Sequence, residues 1–257
     1  MNISASAIAS LRARTGVSIS ACKEALEEAG GDEEKAIELL RKRGLSQAAK
    51  KAAREQAEGL AFVAEGNGKI AVVLLRCETD FVARDDNFQT TGKAIVDTLL
   101  SSGEDAAKKK AEEMVPELVQ KLGENITLGE MHLVEGGTVG AYLHSNAKIA
   151  VVVALNGGTK EHARDVAMHA AALSPKVVSP EEVTDDLVAK EKEIWSEQLK
   201  NEGKPEAMFD KIMIGKEKKF REESALLKQP FVKDPSQTVE QYLGDAKVTK
   251  YVRVSVA

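Results

Sequence analysis

From Ser4 to about Lys42, apolar residues recur mostly at helical intervals: Ile8, Leu11, Ile19, Cys22, Ala25, Leu26, Ala29, Ile37, Leu39 and Leu40. Breaks at Thr15-Gly16 and Gly30-Gly31 divide the stretch into three short helices. Ser18 precedes the second and Asp32 the third, residue types that accept hydrogen bonds from the free amides at a helix start, and acidic residues follow Asp32 in the first turn. A bundle of about 40 residues lies near the lower size limit for an independent core, which favours a recognition module over a catalytic unit. The stretch from roughly Ala48 to Glu58, rich in Ala, Lys and Glu, reads as a helical linker.

Beyond the linker the pattern becomes that of strands, and it repeats. Gly66-Asn67-Gly68-Lys69-Ile70-Ala71-Val72-Val73 returns 79 residues later as Ser145-Asn146-Ala147-Lys148-Ile149-Ala150-Val151-Val152. In each copy an apolar strand enters (Leu60 to Glu65, Val139 to His144), a tight turn follows, and a β-branched strand leaves (Ile70 to Leu75, Ile149 to Leu155). A helix follows each hairpin, about Asn87 to Ser101 and Lys160 to Leu173, and Gly129 to Val134 and Val248 to Val256 supply further strands. Antiparallel hairpins packed with helices predict an α+β fold with two related subdomains. Leu187, Ile194, Trp195 and Leu199, then Phe209, Ile212, Met213 and Phe220, predict a helical hairpin turning around Gly203-Lys204-Pro205. The expected division is 1–54 for the helical module and its linker, 55–135 and 136–257 for the subdomains, and 181–223 for the inserted hairpin.

The copies diverge after their second strand. Copy two has Asn156-Gly157-Gly158-Thr159-Lys160-Glu161-His162, which is ordinary turn chemistry. Copy one has Cys77-Glu78-Thr79-Asp80-Phe81-Val82-Ala83-Arg84-Asp85, which sets an aromatic ring between charges at a strand end. Phe81 either caps the local core or is held out for another molecule.

Composition narrows the function. The net charge of -5 argues against a protein whose main task is neutralising nucleic-acid phosphates, which leaves a protein or a small molecule as partner. The clusters Arg41-Lys42-Arg43, Lys50-Lys51 and Lys108-Lys109-Lys110 are short and read as solvated helix faces. Cys22 and Cys77 are far apart, in no C-x-x-C pair, which fits a reduced, cytoplasmic setting. Residues 1–10 lack a cationic segment leading into an apolar run, and nowhere do 18 apolar residues occur together, so neither secretion nor membrane insertion is expected.

Gly66-Asn67-Gly68-Lys69 lacks the spacing of a phosphate-binding loop, and its return as Ser-Asn-Ala-Lys marks it as a turn. No G-x-S-x-G, H-E-x-x-H or Cys/His nucleophile arrangement occurs, and His162 and His169, seven apart on one helix, have no third ligand in view. No enzymatic activity, cofactor or metal is expected.

Thr79-Asp80-Phe81-Val82-Ala83-Arg84-Asp85 resembles the signature of the elongation factor Ts family. Leu122-Gly123-Glu124-Asn125-Ile126, Val166-Ala167-Met168-His169-Ala170-Ala171 and Gln229-Pro230-Phe231-Val232 are similar to the same family, in the same order. The N-terminal pattern R-x-R-T-G-V-S-x-x-x-C-K-x-A-L resembles the ubiquitin-associated-like (UBA-like) domain that opens family members, although alone it also suits a generic three-helix bundle. The resemblance implies a guanine-nucleotide exchange factor that meets elongation factor Tu in its GDP-bound and nucleotide-free states. It implies that Asp80 and Phe81 enter the partner's nucleotide-binding domain near its magnesium, with Thr79, Val82 and Ala83 holding the loop. It implies further contacts through Arg12 and Ile19 on the N-terminal module and through His144, although a lone histidine is also commonly structural.

The inserted hairpin is similar to a family coiled coil used for dimerisation, which implies a homodimer through exposed Trp195 or Phe209; a hairpin burying its stripe on itself is the other reading. Some family members continue into a C-terminal helix that contacts the partner, whereas this chain stops at Val256-Ala257, so more of the affinity is expected from the remaining surfaces. A passive adaptor that binds without accelerating nucleotide release is the alternative function, and the asymmetric Thr79 to Ala83 segment argues against it.

Overall fold

The computed structural model describes residues 3–203, 205 and 208–256. Helices α1 (Ala5–Thr15), α2 (Ile19–Glu28) and α3 (Glu33–Lys51) begin after Ser4, Ser18 and Asp32, whose side chains accept the amides of Ala7, Ala21 and Lys35. Leu11, Val17, Cys22, Ala25, Leu26, Ala36 and Leu40 close a small core between them. The third helix runs past Lys42 to Lys51 and absorbs the start of the expected linker; the rest of that linker is non-helical. The basic cluster there is paired with acids, Arg41 to Glu117 at 3.3 Å, Lys42 to Glu38 at 2.8 Å and Arg43 to Glu28 at 2.6 Å.

The chain packs as two compact units, one from Met1–Leu133, Leu143–Ala150 and Val254–Ala257, the other from Val134–Tyr142 and Val151–Arg253. In the first unit, β1 (Glu58–Gly66) and β2 (Lys69–Cys77) pair antiparallel from Glu58↔Cys77 to Gly66↔Lys69. Asn67 and Gly68 turn between them, both at positive φ (51° and 72°), the backbone a two-residue hairpin of matching twist requires. The chain then forms α4 (Asp80–Ala83), α5 (Asp86–Ser102), α6 (Glu104–Leu122) and β3 (Thr127–Glu135), and β2 lies central in the order β1-β2-β3. Ala71, Val73, Leu75 and Cys77 of β2 share one core with Phe88, Ile95, Val96 and Leu99 of α5 and with Ala107, Ala111, Leu118 and Val119 of α6. A helical face was read at Lys108-Lys109-Lys110, but the extent of α6 was not, because its buried stripe is half alanine and Pro116 interrupts the pattern. Gly44 explains how α3 docks on it: a Cβ there would lie 2.9 Å from the Pro116 carbonyl oxygen.

Strands β4 (Thr138–Leu143) and β5 (Ile149–Asn156), whose tip at Leu143–Ala150 belongs to the first unit, form the repeated hairpin, and α7 (Lys160–Leu173) in the second unit is its helix, as expected. Helices α8 (Asp185–Asn201) and α9 (Phe209–Ser224) form the inserted hairpin, and β6 (Pro230–Phe231), β7 (Asp234–Thr238), α10 (Val239–Leu243) and β8 (Lys247–Ser255) follow. Strand β8 joins the second sheet in the order β4-β5-β8.

The two sequence stretches Val166–Ala171 and Gln229–Val232 meet at His169, which is fully buried. Its Nδ1 accepts the Val232 amide at 3.1 Å and its Nε2 donates to Gln229 Oε1 at 3.0 Å, so the ring is neutral, and burial lowers its pKa against the smaller opposing effect of Gln229. His162 instead stands edge-on to Tyr242 at 5.2 Å. Among the described residues no group of three or more His, Cys, Asp or Glu is placed to hold a metal.

Within the hairpin α8 and α9 run antiparallel, tied by Lys192–Glu217 at 2.6 Å and Arg221–Asp185 at 2.9 Å. Trp195, expected to be exposed, is 8% exposed and meets Phe220 edge-on at 5.7 Å, because its side of α8 carries the Val188, Trp195 and Leu199 stripe that faces inward. Phe209 is half-buried, while Leu187, Ile194 and Ile214 are exposed. Of the expected turn around Gly203-Lys204-Pro205, Lys204 lies outside the described residues. No helix among the described residues is long and apolar enough to cross a membrane.

Gly92 on α5 gives a test of how tightly the first core is closed. A Cβ at Gly92 would lie 2.2 Å from the Phe62 ring. Gly92→Ala improves helix propensity by about 1 kcal/mol, yet overpacking costs about 1–3 kcal/mol and ring displacement adds to it. We expect net destabilisation in urea unfolding; a variant more stable than wild type would contradict this packing.

Candidate functional site

At the end of β2 the two copies of the repeat build the same joint differently. In copy two, Gly157 and Gly158 take positive φ (82° and 72°) and Thr159 caps α7 by accepting the His162 amide at 3.2 Å. In copy one, Thr79 makes the corresponding bond to Val82 at 3.4 Å but caps only α4, a single helical turn. Asp85 then caps α5, accepting the Asn87 amide at 2.8 Å. The expected loop is therefore a helical turn set between strand and helix.

This turn divides its residues by direction. Ala83 is buried at 3% exposure and Val82 packs partly against the first core, whereas Phe81 is 80% exposed. That exposure removes the reading of Phe81 as a cap on the core. Asp80 pairs with Arg84 one turn on, at 2.7 Å on an exposed surface, where such a pair contributes little to stability.

A single helical turn is too short to hold itself, since it fixes many dihedrals for very few internal bonds. Here the segment between α6 and β3 supports it. Glu124 Oε2 accepts the amides of Glu78 and Thr79, each at 3.0 Å, and Glu124 Oε1 accepts the Thr79 hydroxyl. In return Glu78 Oε1 accepts the Asn125 amide at 2.6 Å, and Arg54 approaches the same oxygen at 3.4 Å. The buried Asn125 side chain donates to the Arg54 carbonyl at 2.8 Å, and Gln56 donates to the Asn125 carbonyl at 3.1 Å. Glu78, Glu124, Asn125 and Arg54 were not among the expected site residues. Their signal was weak: Glu124 and Asn125 stood in a stretch similar to the family, with nothing in their spacing to pair them with Thr79, 45 residues earlier.

All the expected contact residues belong to the first unit. Ala83 and Arg84 line one side of a groove of about 550 Å³, with Leu143, Ser145, Asn146 and Ala147 on the other, beside exposed His144. The Ala61 amide donates to the Ala147 carbonyl at 2.6 Å and Lys148 pairs with Glu58 at 2.6 Å, which fixes that hairpin tip against β1. Arg12 and Ile19 are exposed on the N-terminal bundle and have a different core beneath them. The bundle is tied toward the turn through Lys121, which donates to Asn87 at 2.6 Å and whose stem fills the space a Cβ on Gly16 would take.

Cys77, the last residue of β2, lies under the turn and donates its thiol to the Thr79 carbonyl at 3.2 Å. Burial, with the charges of Glu124 and Glu58, pushes its pKa up to about 12. The reactive thiolate is then a fraction of about 10⁻⁴ at pH 8. Because Cys22 is also buried, we expect iodoacetamide at pH 8 to leave the native protein unlabelled and to modify both cysteines in urea. Labelling of Cys77 in native protein at the rate of a free thiol would contradict the closed turn.

The turn thus presents an exposed aromatic ring on a backbone held to the core. The profile described as Elongation factor TS matches residues 78–257. Elongation factor Ts of Deinococcus deserti is 43% identical over 259 residues, covering 97% of this chain and 98% of its own. The protein of the same name from Aeromonas hydrophila is 44% identical over 268 residues, covering 99% and 91%, and that of Hahella chejuensis 45% identical over 269 residues, covering 99% and 92%. The chain belongs to the elongation factor Ts family. Membership makes it a nucleotide-exchange factor for elongation factor Tu and not an enzyme.

Proposed function

We propose that the protein releases GDP from elongation factor Tu by inserting Phe81, with Asp80 beside it, into the partner's nucleotide-binding domain near the bound magnesium. The observation that carries this reading is an aromatic ring 80% exposed on a turn that is otherwise fixed to the core. Mg²⁺ demands near-octahedral oxygen ligation, so a small displacement of the surrounding loops weakens its hold on the phosphates. Burying one phenylalanine supplies about 1.5–3 kcal/mol toward holding the displaced state. Nucleotide and factor must weaken each other's binding equally, so GTP loading expels the factor and the cycle consumes nothing of it.

In this reading residues 1–54 act as a UBA-like module that touches the partner through Arg12 and Ile19, and residues 55–135 present the wedge. Residues 136–257 add the contact at His144. Two unpaired, buried cysteines suit a reduced cytoplasm. The decisive measurement is the release of a fluorescent GDP from elongation factor Tu at fixed magnesium and saturating factor. Phe81→Ala is expected to lower the accelerated rate about 10- to 100-fold. Binding that weakens with no separate loss of maximal rate would favour the passive adaptor.

The reading extends to residues 181–223 as a coiled-coil hairpin that joins a second copy, supported by exposed Leu187, Ile194 and Ile214 on its outer faces. We expect sedimentation equilibrium to find a dimer that Ile194→Lys together with Ile214→Lys converts to monomer. A wild-type monomer at high micromolar concentration would end this part of the reading.

A further inference from the structure

We propose that Glu124 is a positioning residue for nucleotide exchange: its carboxylate holds the Glu78-Thr79 backbone and the Thr79 hydroxyl, and so sets the direction in which Phe81 leaves the surface. The proposal rests on the reading of Phe81 as the wedge. An exposed ring has no packing of its own to orient it, so its direction is inherited from its backbone. That backbone is a single turn, whose early amides have no partners inside the helix. Thr79 satisfies the Val82 amide, and Glu124 satisfies the amides of Thr79 and Glu78. Thr79 thus donates its hydroxyl to Glu124 and accepts Val82 with the same oxygen, which makes the carboxylate and the helix start one connected unit.

Bonds to an ionised acceptor are among the stronger ones available to the chain, and both oxygens of Glu124 are used. The repeat supplies the contrast. Copy two needs no such clasp, because a Gly pair makes its turn and Thr159 caps a 14-residue helix that packs along its length. Copy one has no Gly pair before its capping Thr79, and the carboxylate that fixes Glu78 and Thr79 comes from a distant segment, beside Gly123, which ends α6 in the left-handed region at φ 82°.

The test is a set of variants, Glu124→Ala, Thr79→Val, both together, and Phe81→Ala, read two ways. In fluorescent GDP release from elongation factor Tu, Glu124→Ala is expected to cut the maximal rate about tenfold. The factor concentration at half effect should change far less. Thr79→Val should behave alike, and the double variant should lose little beyond either single one, as residues in one network do. In hydrogen exchange of the free protein, the amides of Val82, Ala83 and Arg84 should open at least tenfold faster in Glu124→Ala, with those of β1 and β2 unchanged.

Full acceleration by Glu124→Ala, while Phe81→Ala loses it, would overturn this proposal and leave the wedge standing. Faster exchange throughout β1 and β2 would reduce Glu124 to general stability and also overturn it. Loss of neither activity, with Phe81→Ala as fast as wild type, would overturn the wedge reading and this proposal with it.

Discussion

An exposed side chain has no packing of its own to orient it, and this constraint governs the architecture around Phe81. The ring is 80% exposed, so everything that determines its position acts through the backbone. Beneath it, Ala83 and Cys77 are buried and Val82 rests on the same core, which fixes the inner face of the turn. The carboxylate of Glu124 fixes its start, and Asp85 fixes the start of the helix that follows. A one-turn helix takes its hydrogen-bond partners from segments distant in sequence.

The internal repeat shows how such a site arises without new folding machinery. Both copies share a hairpin, a capping threonine and a helix, and the copy-one hairpin is closed by Asn67-Gly68 at positive φ. Copy one differs by one added helical turn and by having Cys77-Glu78 before its capping threonine where copy two has Gly157-Gly158. The added turn projects the ring, the Thr79 hydroxyl donates to Glu124, and the Glu78 carboxylate accepts the Asn125 backbone amide. In the copy-two unit the corresponding interactions serve cohesion: His169 joins the Val166–Ala171 stretch to Gln229 and Val232 in a buried, neutral network.

Legibility in the sequence followed how local each feature is. Helix caps at Ser18 and Asp32, the Asn67-Gly68 hairpin and the bounds of α7 rest on neighbours within a few residues, and they were readable from spacing alone. The extent of helix α6 beyond the Lys108-Lys109-Lys110 face was not, because Ala107 and Ala111 carry a faint apolar signal and Pro116 imitates a break. Nor was the inward face of Trp195, since Leu187, Ile194 and Trp195 all fit helical spacing and only the partner helix selects among them. The signature at Thr79 to Ala83 stood out through its asymmetry with copy two, but its helical form and its clasp did not. The bond from Thr79 to Glu124 spans 45 positions, and no periodicity records it.

The central claim is that Phe81 enters the nucleotide-binding domain of elongation factor Tu, and a photoreactive benzoyl-phenylalanine at position 81 tests it most directly. Irradiation of its complex with nucleotide-free elongation factor Tu should yield a crosslink that peptide mapping places in the nucleotide-binding domain, beside the magnesium site. A crosslink confined to another domain of the partner, or none from position 81 while one forms from position 144, would contradict the account.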